Sequence, residues 1–95
     1  MDFKYAVFSG HAVRRMFEWR ISRDEVLEVL RNGEVIADYP DDRPFPSHLL
    51  LGFPAKRALH AVAALDKQTD TCHVITAYPP DPRRWGEDFQ TRRKP

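Results

Sequence analysis

Cysteine is almost missing from this chain: Cys72 is the only one in 95 residues. No intrachain disulfide can form, which fits a reducing compartment. The four glycines, Gly10, Gly33, Gly52 and Gly86, each stand alone. A glycine-rich loop that cradles a phosphate is thereby excluded. No apolar run approaches the ~20 residues of a membrane-crossing helix, and the first residues lack a signal-peptide pattern. A cytoplasmic location without a membrane partner is the expectation. Net charge is only +1, so no strong overall field draws in nucleic acid. Ser9, Ser22 and Ser47 sit in capping or edge contexts and offer no serine triad. His11, His48, His60 and His73 match no zinc spacing, and the adjacent Cys72 and His73 would point to opposite faces of a strand. No metal and no other cofactor is expected. Internal repeats and low-complexity segments are also missing.

What is present is ordinary globular composition, 42% hydrophobic and 31% charged. Residues 1–95 suit one domain with a single, modest core. The charge is unevenly spread. Arg14, Arg15, Arg20 and Arg23 lie near the start, and Arg83, Arg84, Arg92, Arg93 and Lys94 near the end. Local basic patches can hold phosphates without a large net charge.

Along the chain, residues 1–8 read as a short strand or an extended lead-in. Ser9 is a candidate N-cap, its hydroxyl able to accept from a free helical N–H. The helix from Gly10 to Arg20 has Val13, Met16, Phe17 and Ile21 as its apolar stripe. His11 and Arg15 fall on another face, four residues apart, and so reach the same point. Ser22-Arg23-Asp24-Glu25 is a capping box, and the helix it opens stops at Asn32-Gly33. The period then changes. Glu34–Tyr39 reads as a strand with Val35, Ala37 and Tyr39 on one side, followed by a proline-rich loop over 40–46. Ser47–Phe53 is the next strand. The runs 58–65 and 72–78 form a central pair around a polar hairpin at 66–70. Alternation puts His60, Val62 and Ala64 on one face of the first run, and Cys72, Val74, Thr76 and Tyr78 on one face of the second. Whether those faces coincide stays open. Pro79–Pro82 ends the last strand. Residues 83–94 read as a short helix around Trp85 and Phe89, leading into a basic tail at about 90–95. The fold class is α+β: two N-terminal helices packed on a mainly antiparallel sheet of about four strands.

Several of these residues carry a family resemblance. They are His11-Ala12 with Arg15 and Arg20, Tyr39-Pro40, Pro44 with Pro46-Ser47, and Leu59-His60-Ala61-Val62. Ile75-Thr76-Ala77-Tyr78 with Pro80-Asp81, Trp85 and Arg92-Arg93 complete the set. In this order and spacing the chain resembles the bacterial family called domain of unknown function 4258. That resemblance implies a barnase/RelE-like ribonuclease fold. It also implies the toxin half of a toxin–antitoxin pair, acting on RNA and held by a zinc-finger or helix-turn-helix antitoxin.

The residues themselves supply what metal-free RNA cleavage needs. A base takes the ribose 2′-OH proton, cations or donors stabilise the phosphorane, and an acid protonates the leaving oxygen. His11 and His60 are the acid/base candidates, since imidazole titrates near neutrality. Arg15 is a catalytic cation, and Arg20 a phosphate clamp, because guanidinium binds phosphate bidentately. Tyr78 is a donor or weak acid, and Thr76 orients a phosphate oxygen. Arg92 and Arg93 add substrate contacts from the basic end. Blander roles compete: His60 as a core histidine, Arg15 paired with Glu18 or Glu25, Arg20 bonding its helix end, Tyr78 as a core lid. The rival functions are a non-catalytic module of the same fold that binds RNA or protein, and an interaction subunit whose exposed 49–53 segment pairs with a partner strand.

Overall fold

The computed structural model describes residues 1–92. A short strand, β1 (Tyr5–Phe8), leads into two helices, α1 (Gly10–Trp19) and α2 (Arg23–Asn32). Four strands follow: β2 (Glu34–Tyr39), β3 (Ser47–Gly52), β4 (Leu59–Asp66) and β5 (Thr71–Tyr78). They form one sheet in the order β1-β5-β4-β3-β2. The class is α+β, but the sheet has five strands and is mixed. The lead-in pairs in parallel with β5, and the remaining neighbours are antiparallel.

Local chemistry sets both helices. Ser9 Oγ accepts from the Ala12 N–H at 3.0 Å, capping α1. Ser22 and Glu25 exchange bonds of 3.0 and 2.9 Å in the expected capping box. Both helices lie on one face of the sheet. Val26, Val29 and Leu30 of α2 and Ala12 of α1 are buried there against Leu50, Leu59, Ala61, Ala63, Cys72, Val74 and Ala77. The expected stripe of α1 is only half right. Met16 and Ile21 pack on the core, but Val13 and Phe17 face solvent, Phe17 at 88% exposure. The contact runs instead through Ala12, whose single methyl lets α1 approach β5 closely.

Two extra residues change which side chains share a face. Between Val74 and Thr76 the β4–β5 register advances two residues on β5 for one on β4, leaving Ile75 without an opposite number. An inserted residue reverses the alternation beyond it. Cys72 and Val74 therefore enter the helix-side core, while Thr76 and Tyr78 turn to the far face. The single face expected for all four is corrected. Ile36 does the same in β2, separating Val35 from Ala37 and Tyr39.

The far face is also covered. Leu49, Leu51 and Ser47 are buried there, although no helix reaches them. Part of the covering comes from the chain after β5, which crosses the sheet: Trp85 packs on His60, and Gln90 Nε2 donates to Glu34 Oε2 at 2.8 Å on β2. At the Ser47 end it comes from the 40–46 loop, where Asp42 accepts from the Ser47 hydroxyl and Phe45 stacks on His73. Over the described residues 83–92 the chain after β5 is not the expected helix. Asp88 Oδ1 accepts from the Gln90 and Thr91 N–H groups at 3.0 and 3.1 Å, tying a turn, and Trp85 bridges back to Arg92. An aspartate that bonds the backbone two and three residues ahead favours a turn over a helix. The 49–53 segment is no free edge either, since β3 is paired on both sides. That removes the strand-addition reading.

Candidate active site

β1 pairs with β5 only as far as Val74, so the last four residues of β5 have no strand on the β1 side. α1 lies along this gap. Ser9 fixes it there, its N–H donating to the Val74 carbonyl at 3.0 Å and its hydroxyl to the Ile75 carbonyl at 2.8 Å. The third wall is the crossing segment after β5. Between the three lies a cleft of about 450 Å³, lined by His11, Arg15, Trp19, Thr76, Tyr78, Pro79, Asp81, Arg84, Trp85 and Arg92.

Five of the eight residues singled out from sequence meet here: His11, Arg15, Thr76, Tyr78 and Arg92. The lining carries three guanidiniums, from Arg15, Arg84 and Arg92, against one carboxylate. That carboxylate, Asp81, is held by Arg83 through bonds of 3.2 and 3.1 Å, which push its pKa down. Arg15 bonds Glu18 at 3.1 Å, both about half exposed. An exposed pair of this kind is worth roughly 0.2–1 kcal/mol, so a phosphate can displace it. Arg92 lies over the Trp85 ring, 5.2 Å from its centroid, which places its charge on the cleft wall. Burial raises the pKa of Tyr78, with Tyr39 adding to the effect and Arg92 opposing it. At neutral pH the phenol is therefore a hydrogen-bond donor.

His60 shares a face with Thr76 and Tyr78, as its alternation permitted, and sits opposite Tyr78 in the register. It is nevertheless sealed. Its exposure is 0%, with Tyr78 at 5.5 Å and Trp85 at 4.6 Å between ring centroids. Nε2 bonds the Phe89 carbonyl at 2.7 Å, so that nitrogen carries the proton, and Nδ1 has no partner among the described residues. Burial lowers its pKa, against the opposing pull of that carbonyl. The expectation that His60 meets substrate is corrected: the crossing segment lies over it, and it is absent from the cleft lining.

Arg20 is also elsewhere. It caps α1 in the left-handed region, φ 53°, and lines a separate apolar hollow with Val13, Met16 and Phe17. Its carbonyl accepts from Arg57 at 3.4 Å. Arg93 lies outside the described residues, as does the end of the basic tail. Among the described residues, no three His, Cys, Asp or Glu side chains gather to hold a metal ion, and no helix is long and apolar enough to cross a membrane. Sequence reasoning missed Trp19 and Arg84 as cleft residues. Trp19 had a signal: it stands four residues beyond Arg15 and eight beyond His11 on one helical face. Arg84 had none beyond its place in the basic cluster.

A family model described as domain of unknown function (DUF4258) matches residues 8–79. The chain belongs to the DUF4258 family. No curated protein and no solved structure matches it. The matched segment contains α1 and β5 complete, hence His11, Arg15, Trp19, Thr76 and Tyr78. Arg84, Trp85 and Arg92 follow it, so most of the third wall of the cleft lies outside the matched segment.

Proposed function

We propose that this DUF4258 protein is an endoribonuclease that cleaves RNA without a metal, in the cleft between α1, the end of β5 and the segment after it. The observation that carries this reading is the convergence of one imidazole, three guanidiniums, a phenol and a threonine hydroxyl on one open cleft. His11 is the imidazole of the lining and takes the proton-transfer role, removing the 2′-OH proton for in-line attack on the phosphorus. Arg15, Arg84 and Arg92 hold the phosphate and stabilise the charge that builds on the phosphorane. The Tyr78 hydroxyl donates towards the phosphate or the leaving oxygen, and Thr76 orients a non-bridging oxygen. His60 is a positioning residue in this scheme, holding the segment that supplies Arg84 and Arg92. The family resemblance adds the barnase/RelE-like fold and the toxin role in the cytoplasm, opposed by a zinc-finger or helix-turn-helix antitoxin that covers the cleft.

Purified protein incubated with RNA and a chelator tests the reading. Cleavage products that disappear in His11→Ala and Arg15→Ala support it. RNA left intact at every enzyme concentration, with salt-sensitive binding retained, points to the alternative, a non-catalytic RNA-binding module. One observation favours that alternative. With His60 sealed, His11 is the only imidazole lining the cleft among the described residues, so the second proton transfer falls to Tyr78 or to water.

A further inference from the structure

Two indoles line the cleft, and they differ in what covers them. Trp85 is 8% exposed, with Arg92 over its face and His60 packed against it. Trp19 is 48% exposed, and among the described residues no cation or aromatic ring lies over it. Its backbone is well held. Arg57 Nη1 donates to the Trp19 carbonyl at 3.1 Å, while Nη2 reaches the Arg20 carbonyl at 3.4 Å and Glu25 of α2 at 3.5 Å. A fixed main chain thus carries a half-open indole beside the cationic wall.

The helix sets the spacing. His11, Arg15 and Trp19 follow one another at four-residue steps, roughly 6 Å of helix axis each. A phosphate held at Arg15 has its proton-transfer group one step towards the N-terminus and an aromatic surface one step towards the C-terminus. Bases stack on aromatic side chains with little regard to sequence, because every base has a π-face. In a duplex those faces are already covered by neighbouring pairs, so an indole finds them only in unpaired strands.

We infer that Trp19 is a base-stacking subsite and that the cleft takes single-stranded RNA. The inference builds on the nucleic-acid reading of the cleft and adds the substrate class. Its test uses 2′-O-methyl RNA, which lacks the attacking hydroxyl and so binds without being cut. Three probes of about ten nucleotides are compared by fluorescence anisotropy: a single strand, an abasic strand with the same phosphates, and a duplex. The wild-type protein binds the base-bearing single strand roughly 5- to 140-fold more tightly than the abasic one, the range of one stacked base. Trp19→Ala abolishes that preference and leaves affinity for the abasic strand unchanged, whereas Trp19→Phe retains most of it. Equal wild-type affinity for base-bearing and abasic strands overturns the inference alone. So does a Trp19→Ala protein that weakens on both by one factor, which marks a purely structural tryptophan. If none of the three probes binds, the nucleic-acid reading of the cleft falls, and the subsite with it.

Discussion

Removing the His60 imidazole tests how the far face of the sheet is closed. The side chain is fully buried between Tyr78 and Trp85 and holds the Phe89 carbonyl at 2.7 Å. His60→Ala deletes a buried ring and leaves a cavity, at a cost in the range of about 2–5 kcal/mol for large-to-small core changes. About 1 kcal/mol more comes from the lost hydrogen bond. Taking about 3 kcal/mol as a conservative total, a domain of this size melts roughly 12–24 °C lower. His60→Phe keeps the bulk and loses only the bond, so its cost stays near about 1–2 kcal/mol. The two variants also differ from wild type in pH dependence. Burial lowers the His60 pKa below its ordinary 6.5. As pH falls through that ordinary value, the unfolded chain takes a proton that the folded chain still refuses. Stability carried by neutral His60 is thus complete above about pH 6.5 and is lost below it, towards the depressed folded value. Denaturant titrations at several pH values from about 7.5 to 5 should show a steeper loss for wild type than for His60→Phe. Parallel loss in both proteins would refute the burial argument, and an unchanged melt in His60→Ala would refute the packing argument.

On a single strand each phosphate contact contributes about 0.7 to the slope of log affinity against log salt, so Arg84→Ala and Arg92→Ala should each flatten the slope for single-stranded RNA by about that amount. Ser9→Ala removes the α1 cap and the bond to Ile75, and should cost about 1–2 kcal/mol in a denaturant titration. A Cβ added at Gly33 would collide with the Val29 carbonyl oxygen and lie 2.7 Å from the Leu51 carbonyl oxygen, both main chain, while one at Gly10 meets nothing within 4 Å. Gly33→Ala should therefore lower stability by about 1–3 kcal/mol, whereas Gly10→Ala, in helical backbone with open space, should raise it by about 0.4–1 kcal/mol, read from denaturant midpoints. Burial pushes the Cys72 thiol up to about 11. A thiol reagent at mildly alkaline pH should leave it unmodified in the folded protein and modify it fully in denaturant.

Local signals were legible, and relations between distant segments were not. Ser9, the Ser22–Glu25 box and the proline-rich 40–46 loop announce themselves because caps and breakers act within a few residues. Ile75 gives no such notice. It is one β-branched residue in a strand rich in them, and only pairing with β4 shows that it is the extra one. Its effect is large, since it sends Thr76 and Tyr78 to the far face and into the cleft. The burial of His60 was equally hidden, because what seals it arrives 25 residues later at Trp85 and 29 later at Phe89. In α1, periodicity favoured Val13 and Phe17, whereas contact with β5 selected the smaller Ala12. His11 and Arg15 were found because a helix places residues four apart on one face whatever that helix packs against.

Ser9 explains why the cleft exists where it does. A four-residue β1 covers only half of β5, and the chain must leave the sheet at the point where Ile75 breaks the register. Ser9 occupies that point and makes four bonds at once: its N–H to Val74, its hydroxyl to Ile75, its side-chain oxygen accepting from Ala12, and its carbonyl accepting from Val13. The start of the helix is thereby fastened to the bulge itself. His11 stands two residues past the fastening and Thr76 one residue past the bulge, so neither can shift far without breaking a Ser9 bond. The cationic wall formed by Arg84 and Arg92 is held differently, through the Asp88 turn and the His60–Phe89 bond across the sheet. Two independently anchored walls then face each other across an open groove. Perturbing Ser9 should displace His11 relative to β5, whereas perturbing His60 should displace Arg84 and Arg92. In the proposed ribonuclease scheme the two variants are thus expected to separate chemistry from binding.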